Sequence, residues 1–240
     1  MRTAEVFLLN RSDRVRSYAM EFVQCRMDEK GELKELDKAA KPEADERFGD
    51  SYLRFTPRRV ILEPHQSQVV RLQLRKPLDL AEGEYRSHLK FRLIPTAEDA
   101  AKPDSVKKGV RIKLIPLYGV TIPVIVRHGK LQATSSITGL HLDAKGGQGK
   151  ANLAITIERK GSCSTIGNLE ALWKTAGKRD VSVGMIKGLA VYTPNARRTI
   201  VMPLAVPKGS DLRGGQLIVR YIEHGEESER LLAEGRLAVP

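Results

Sequence analysis

The longest hydrophobic alternation in the chain runs from Gly109 to Arg127. Val110, Ile112, Leu114, Tyr118, Val120, Ile122, Val124 and Val126 share one parity; Arg111, Lys113, Thr121 and Arg127 share the other. Period two over this length specifies an extended strand, because successive side chains of a strand point to opposite faces. Pro116 and Pro123 lack the amide proton that a ladder needs, which places the strand at a sheet edge or gives it local breaks. A long apolar edge offers unpaired donors and acceptors to any other strand. The pattern therefore reads as an edge that exists to be paired.

The rest of the chain repeats this rhythm in shorter pieces. Strands are expected at Thr3–Leu9, Ser17–Met27, Leu53–Leu62 with a break at Pro57, Gln68–Leu74 and Glu84–Ile94. The faces of Glu84–Ile94 are poorly separated. Asp28–Ser51 reads as a charged surface excursion, with a weak helical pattern over Glu32–Ala40, and Thr96–Lys108 as a loop. Gly129–Ser136 reads as a linker. Beyond it, strands are expected at Ile137–Leu142, Ala151–Glu158, Gly167–Trp173, Asp180–Met185, Leu189–Tyr192, Arg198–Leu204, Gln216–Ile222 and Leu231–Val239. Short strands separated by Gly, Pro, Asn and Asp, without a long amphipathic helix, predict an all-β chain of two β-sandwiches in tandem, over residues 1–130 and 131–240.

Composition narrows the function classes. A net charge of +12 fits an acidic protein, nucleic acid or an anionic surface as partner. Aromatics at 5% argue against a base-stacking platform, and no zinc finger or recognition-helix pattern is present. No apolar run reaches the roughly 18 residues of a membrane-spanning helix. Cys25 and Cys163 have no paired spacing and read as small buried hydrophobes.

Catalytic and cofactor motifs are not found. Lys145-Gly146-Gly147-Gln148-Gly149-Lys150-Ala151 resembles a phosphate loop only superficially: Ala144 stands where the first Gly belongs, and Ala151 where Ser or Thr would bind magnesium. A hairpin turn fits better. The five histidines have no metal-ligand spacing. The chain reads as a non-enzyme without metal or cofactor.

An ordered set of motifs then stands out: Phe55-Thr56-Pro57-Arg58-Arg59-Val60-Ile61-Leu62-Glu63-Pro64, Gln68-Val69-Val70-Arg71-Leu72, Gly83-Glu84-Tyr85-Arg86-Ser87-His88-Leu89 and Ile94-Pro95. Together they resemble the first domain of the PapD-like periplasmic chaperones of pilus and fimbria assembly. The match covers about residues 3–130; the second half matches in length, strand rhythm and the stretch Tyr192-Thr193-Pro194-Asn195-Ala196-Arg197-Arg198. The resemblance implies immunoglobulin-like sandwiches and a periplasmic location. It also implies pilus or fimbrial subunits and an outer-membrane usher as partners, with no nucleic acid and no membrane insertion. By the family's mechanism the chaperone lends an edge strand to an incomplete subunit. The lent residues would then be Val110, Ile112, Leu114 and Tyr118, flanked by Arg111 and Lys113, while Val120, Ile122, Val124 and Val126 would fill the chaperone's own core. A bare apolar edge also implies self-association. The competing class is a basic β-rich module for nucleic acid or another polyanion.

Two departures from the family pattern stand beside the match. The chain begins where the family's second strand would, so the first strand is expected to be missing. Pro123 occupies the position of the family's carboxylate-anchoring Lys, so the usual Arg–Lys clamp is not visible. The resemblance further implies a structural ion pair between Glu84 and Arg127 near the domain junction.

Overall fold

The computed structural model describes residues 2–95, 119–146, 150–177, 179–205, 212, 214–225 and 228–240. They form sixteen strands, and every pairing within a sheet is antiparallel.

The first half builds two facing sheets. In one, β1 (Arg2–Leu9) pairs with β7 (Ser67–Leu74), which pairs on its other side with β5 (Leu53–Thr56). In the other, the order is β6 (Arg59–Leu62), β2 (Arg16–Val23), β8 (Gly83–Ile94) and β9 (Gly119–His128). The Leu53–Leu62 run is therefore two strands in opposite sheets, with Pro57 at the crossing. This fits a residue that cannot donate to either ladder. Alternation then sets the core. Val70 and Leu72 from one sheet meet Met20, Leu62, Leu89 and Phe91 from the other. Phe22 and Phe55 meet edge to face across the two layers, with centroids 5.0 Å apart.

The turn after β1 is fixed by a buried side chain. Asn10 accepts from the Ser12 amide (3.1 Å) and hydroxyl (2.8 Å) through Oδ1. Its Nδ2 donates to the carbonyls of Arg14, Leu62 and Glu63. Asn10→Ala would strand buried carbonyls, which typically costs about 1–3 kcal/mol. Thermal melting should show a drop of that size, with the strand content of the remaining protein unchanged.

The excursion after β2 is not helical. β3 (Cys25–Met27) and β4 (Leu33–Glu35) form a small hairpin. Asp28 turns it by accepting the amides of Lys30 (2.9 Å) and Glu32 (2.8 Å), and Gly31 supplies the positive φ of 87°. This turn chemistry overrides the weak helical pattern of Glu32–Ala40. Among the described residues, helical geometry is limited to a short 3-10 turn at Asp50–Tyr52. The excursion is tied down by Arg26, which reaches Glu46 and Glu43, each at 2.7 Å. Burial alone would raise the Glu46 carboxyl; the bonds from Arg26 and the Glu43 amide outweigh it and hold the carboxyl below its ordinary value.

The second half repeats the plan. One sheet has the order β10 (Ala133–Gly146), β11 (Lys150–Gly161), β14 (Arg197–Ala205). The other has the order β13 (Val181–Val191), β12 (Thr165–Lys174), β15 (Gly215–His224), β16 (Glu229–Val239). Leu153, Ile155, Ile157, Leu169, Trp173, Leu217, Val219 and Tyr221 fill the space between them. Two expectations are corrected here. The second half of the supposed linker Gly129–Ser136 is strand, since β10 starts at Ala133. The separate strands Asp180–Met185 and Leu189–Tyr192 are one strand, β13. At Ser135 and Ser136 the ladder with β11 continues, and at Gly188 the ladder with β12 resumes after a register shift, so pairing supplies what local propensity lacks.

The two sandwiches differ at their flanks. In the second, β10 runs beside β16 and β13 beside β14, so both sides are closed. In the first, β6 comes beside β7, but β1 and β9 do not pack together in this way.

Candidate partner-binding edge and the junction behind it

β9 is the edge of its sheet, paired through β8 alone among the described residues. Pro123, opposite His88, presents no amide, and Val120 near the start of the strand is exposed. Its inward side chains bury progressively towards the C-terminal end. Val126 is buried, Ile122 and Val124 pack partly against the core, and Val120 is 64% exposed. The assignment of Val120 to the protein's own core is therefore corrected: at the open end of β9 no opposing strand among the described residues covers it. Val110, Arg111, Ile112, Lys113, Leu114 and Tyr118, expected to engage a partner, lie outside the described residues.

Behind this edge, β8 carries an unusual burial pattern. Every residue from Gly83 to Leu89 is buried, including Glu84, Arg86 and His88. The odd positions Tyr85, Leu89 and Phe91 face the sandwich's own core. The even positions, which a sequence pattern assigns to solvent, face the second sandwich. This is why the faces of this strand are hard to separate by periodicity.

Glu84 and Arg127 stand opposite each other in the β8–β9 register. Arg127 Nε donates to Glu84 Oε2 at 3.1 Å, with the Glu84 side chain 1% exposed and that of Arg127 42%. The carboxylate accepts three further bonds from the second sandwich. The Ser164 amide donates at 2.9 Å, the Ser164 hydroxyl donates to Oε1, and Thr193 Oγ1 donates at 3.3 Å. Arg127 Nη2 returns a bond to the Ser164 carbonyl at 2.7 Å. Both partners are thus committed within the junction.

Arg86 makes a second crossing. Nη1 donates to the Thr193 carbonyl at 2.8 Å, and the guanidinium lies 4.5 Å from the centre of the Tyr192 ring. Burial pulls the Arg86 pKa down, and the nearby Glu84 carboxylate opposes it. His88 meets the same Tyr192 ring edge-on, and neither of its ring nitrogens has a hydrogen-bond partner among the described residues. Burial, reinforced by the Arg86 charge, pushes its pKa down to about 4. Arg159 secures the loops on the far side by donating to the carbonyls of Gly161, Cys163 and Asn195 at 2.8–2.9 Å. A third crossing comes from the small hairpin: Asn195 Nδ2 donates to the Met27 carbonyl (2.8 Å), and the Thr199 amide to that of Glu29 (2.7 Å). Met27, Ala190 and Tyr192 form the apolar centre of the contact. Cys25 and Cys163 are free and buried, and burial raises both thiol pKa values.

Arg86, His88, Arg159, Ser164 and Thr193 were not singled out by sequence reasoning. Polar residues at alternate positions of a strand ordinarily mean a wet face; Arg86 and His88 carried a signal only within the Gly83–Leu89 motif, and Thr193 only within Tyr192-Thr193-Pro194.

No family model matches the chain, and no curated protein matches it. Among solved structures the chain is similar to the YadV chaperone, at TM-score 0.44 and 11% identity over 99% of this chain and 92% of that one. It is also similar to the CupB2 chaperone of Pseudomonas aeruginosa, at 0.43 and 12% over 100% and 94%. The class 5 fimbriae chaperone CfaA stands at 0.41 and 16% over 100% and 93%. With each TM-score below 0.5, the functional reading rests on the chain's own residues.

Proposed function

We propose that this chain is a periplasmic chaperone of pilus or fimbria assembly, which caps an incomplete subunit by lending it an edge strand. The observation that carries this reading is the outer edge of β9, unpaired among the described residues, which the alternating segment Val110–Leu114 precedes in the sequence. A lent strand must keep its ladder groups free and offer apolar area that gains from burial. Residues 1–130 act as the lending sandwich. Residues 131–240 act as a second domain that braces it through the Glu84 and Arg86 contacts. Pilus or fimbrial subunits are the partners, with an outer-membrane usher receiving the complex, and no catalysis is involved.

Replacing Ile112 and Leu114 together with Asp tests the reading. Burying one such side chain is worth roughly 1.5–3 kcal/mol, so a donor strand carrying Asp at both positions should lose its client. The double variant is expected to melt like the parent while failing to keep a co-expressed pilus subunit soluble. Melting unchanged with full rescue would remove this segment from the mechanism. Loss of melting stability would assign the two side chains to the protein's own core, where a buried charge is costly. Subunit capping should also weaken only mildly with salt, unlike binding of a polyanion through released counterions.

A further inference from the structure

His88 is a buried titratable group that strand lending does not use. Its backbone is held within the sheet, with Val23 of β2 and Pro123 of β9 opposite it. Its ring belongs to the other face of β8 from Leu89 and Phe91, which fill the first sandwich's own core. The ring is 1% exposed, and it meets Tyr192 of the second sandwich edge to face with centroids 6.3 Å apart. Both ring nitrogens are buried without a hydrogen-bond partner among the described residues. A proton added there would create a second buried N–H with no acceptor, and a charge without a counter-ion.

The neighbouring groups offer that charge no relief. Arg86, two residues earlier on the same face, holds its guanidinium 4.5 Å from the centre of the same Tyr192 ring. Lys90, two residues later, is paired with Glu35 of the β3–β4 hairpin at 2.6 Å. Cys25, at the base of that hairpin, is a buried thiol, and burial raises its pKa. The nearby carboxylates are committed. Glu84 accepts from Arg127, Ser164 and Thr193, and Glu46 from Arg26. Val23, Pro123 and Tyr192 bring no charge.

A protonated His88 can reach water by two routes. Opening the first sandwich would break the β8 ladders to β2 and β9 and expose the apolar core behind them. Undocking the second sandwich leaves both ladders and both cores intact. It gives up only the Glu84 and Arg86 crossings, the hairpin bonds and the small contact of Met27, Ala190 and Tyr192. Each large apolar side chain kept buried is worth roughly 1.5–3 kcal/mol, so the second route is the cheaper one.

We propose that His88 makes the junction an acid-sensitive switch: a proton on its ring releases the second sandwich from β8 while both sandwiches stay folded. The inference goes beyond strand lending and does not depend on it. The docked state refuses the proton and the undocked state takes it, so the switch is closed near neutrality and opens as pH falls. With the docked pKa at about 4 against the ordinary 6.5, the undocked fraction should rise about a hundredfold between pH 6.5 and pH 4.

Hydrogen exchange on the full chain, corrected for the intrinsic pH dependence of exchange, tests this. The Ser164 amide donates across the junction to Glu84, and the Thr199 amide donates across it to Glu29. Their protection should fall about a hundredfold between pH 6.5 and pH 4 and return on neutralisation, while the amides of β7 and β12 keep theirs. The His88 ring, followed by NMR, should titrate over the same interval. His88→Phe should hold both junction amides protected down to pH 4. Opening of His88→Phe at the same pH as the parent would overturn the proposal and pass the role to the Glu84 carboxylate. Parallel loss of protection in β7 and β12 would overturn it too, since acid would then unfold the sandwiches rather than undock them. If His88→Phe does not fold, the ring titration in the parent decides alone: a ring still neutral when the junction amides open overturns the switch.

Discussion

Glu84→Ala is expected to be among the most destabilising single substitutions outside the two apolar cores. The carboxylate is buried and accepts from Arg127 Nε, from the Ser164 amide and hydroxyl, and from Thr193. Removing it strands the buried Ser164 amide and leaves Arg127 without its counter-charge. Breaking a fully buried ion pair costs about 3–5 kcal/mol. Arg127 is partly exposed, and water screens part of its loss. The expected cost is therefore nearer ~3 kcal/mol, or a fall of roughly 6–12 °C in Tm for a chain of this size. The loss should sit in the coupling of the two sandwiches. Solution scattering of Glu84→Ala should show a broader distribution of overall dimensions, while circular dichroism keeps the β signal. Arg127→Ala should cost less than Glu84→Ala, because the carboxylate would keep its three bonds from Ser164 and Thr193. Equal melting of Glu84→Ala and the parent would mean that the junction contributes nothing to stability.

Acid should weaken the protein through His88. Its folded pKa of about 4 lies below the ordinary 6.5 because burial and the Arg86 charge disfavour the imidazolium. Between these values the unfolded chain holds a proton that the folded chain does not. The contribution of this group is thus complete above about pH 6.5, declines as pH falls towards 4, and changes no further below that. A depression of this size corresponds to about 3 kcal/mol across the window. The groups around the imidazole agree in direction: Arg86 lies on the same face of β8, and the Tyr192 ring supplies no acceptor. His88→Phe keeps an aromatic ring against Tyr192 and removes the two unpartnered nitrogens. It should match or exceed the parent in Tm at pH 7, and should flatten the decline between pH 6.5 and 4. A variant whose acid profile overlays that of the parent would place the acid sensitivity elsewhere.

Period two in the sequence located most of the strands. Gln68–Leu74 and Glu84–Ile94 match β7 and β8 to within a residue at either end. Turn chemistry fixed where they stop, as at Asn10 and Asp28. The misjudged places share one cause. Ser135, Ser136 and Gly188 look like breaks locally; β11 pairs through the two serines, and β12 resumes its pairing across a register shift at Gly188. The ion pair of Glu84 with Arg127 was legible through family resemblance, and the β8–β9 register sets the two residues opposite each other. Its four-bond environment was not legible, because Ser164 and Thr193 arrive from connecting segments 80 and 109 positions away.

By itself the sequence determined the class of structure, since alternation tells each strand which side chains share a face. It does not say what each face meets. Glu84, Arg86 and His88 occupy the polar parity of β8, and docking of the second sandwich turned that face from surface to interior. Val120 occupies an apolar position of β9, and no strand among the described residues lies close enough to cover it. Burial depends on contacts between residues far apart in the chain, and a local period of two carries no record of them. Tertiary packing therefore decided which charges form the junction and which apolar edge stays open.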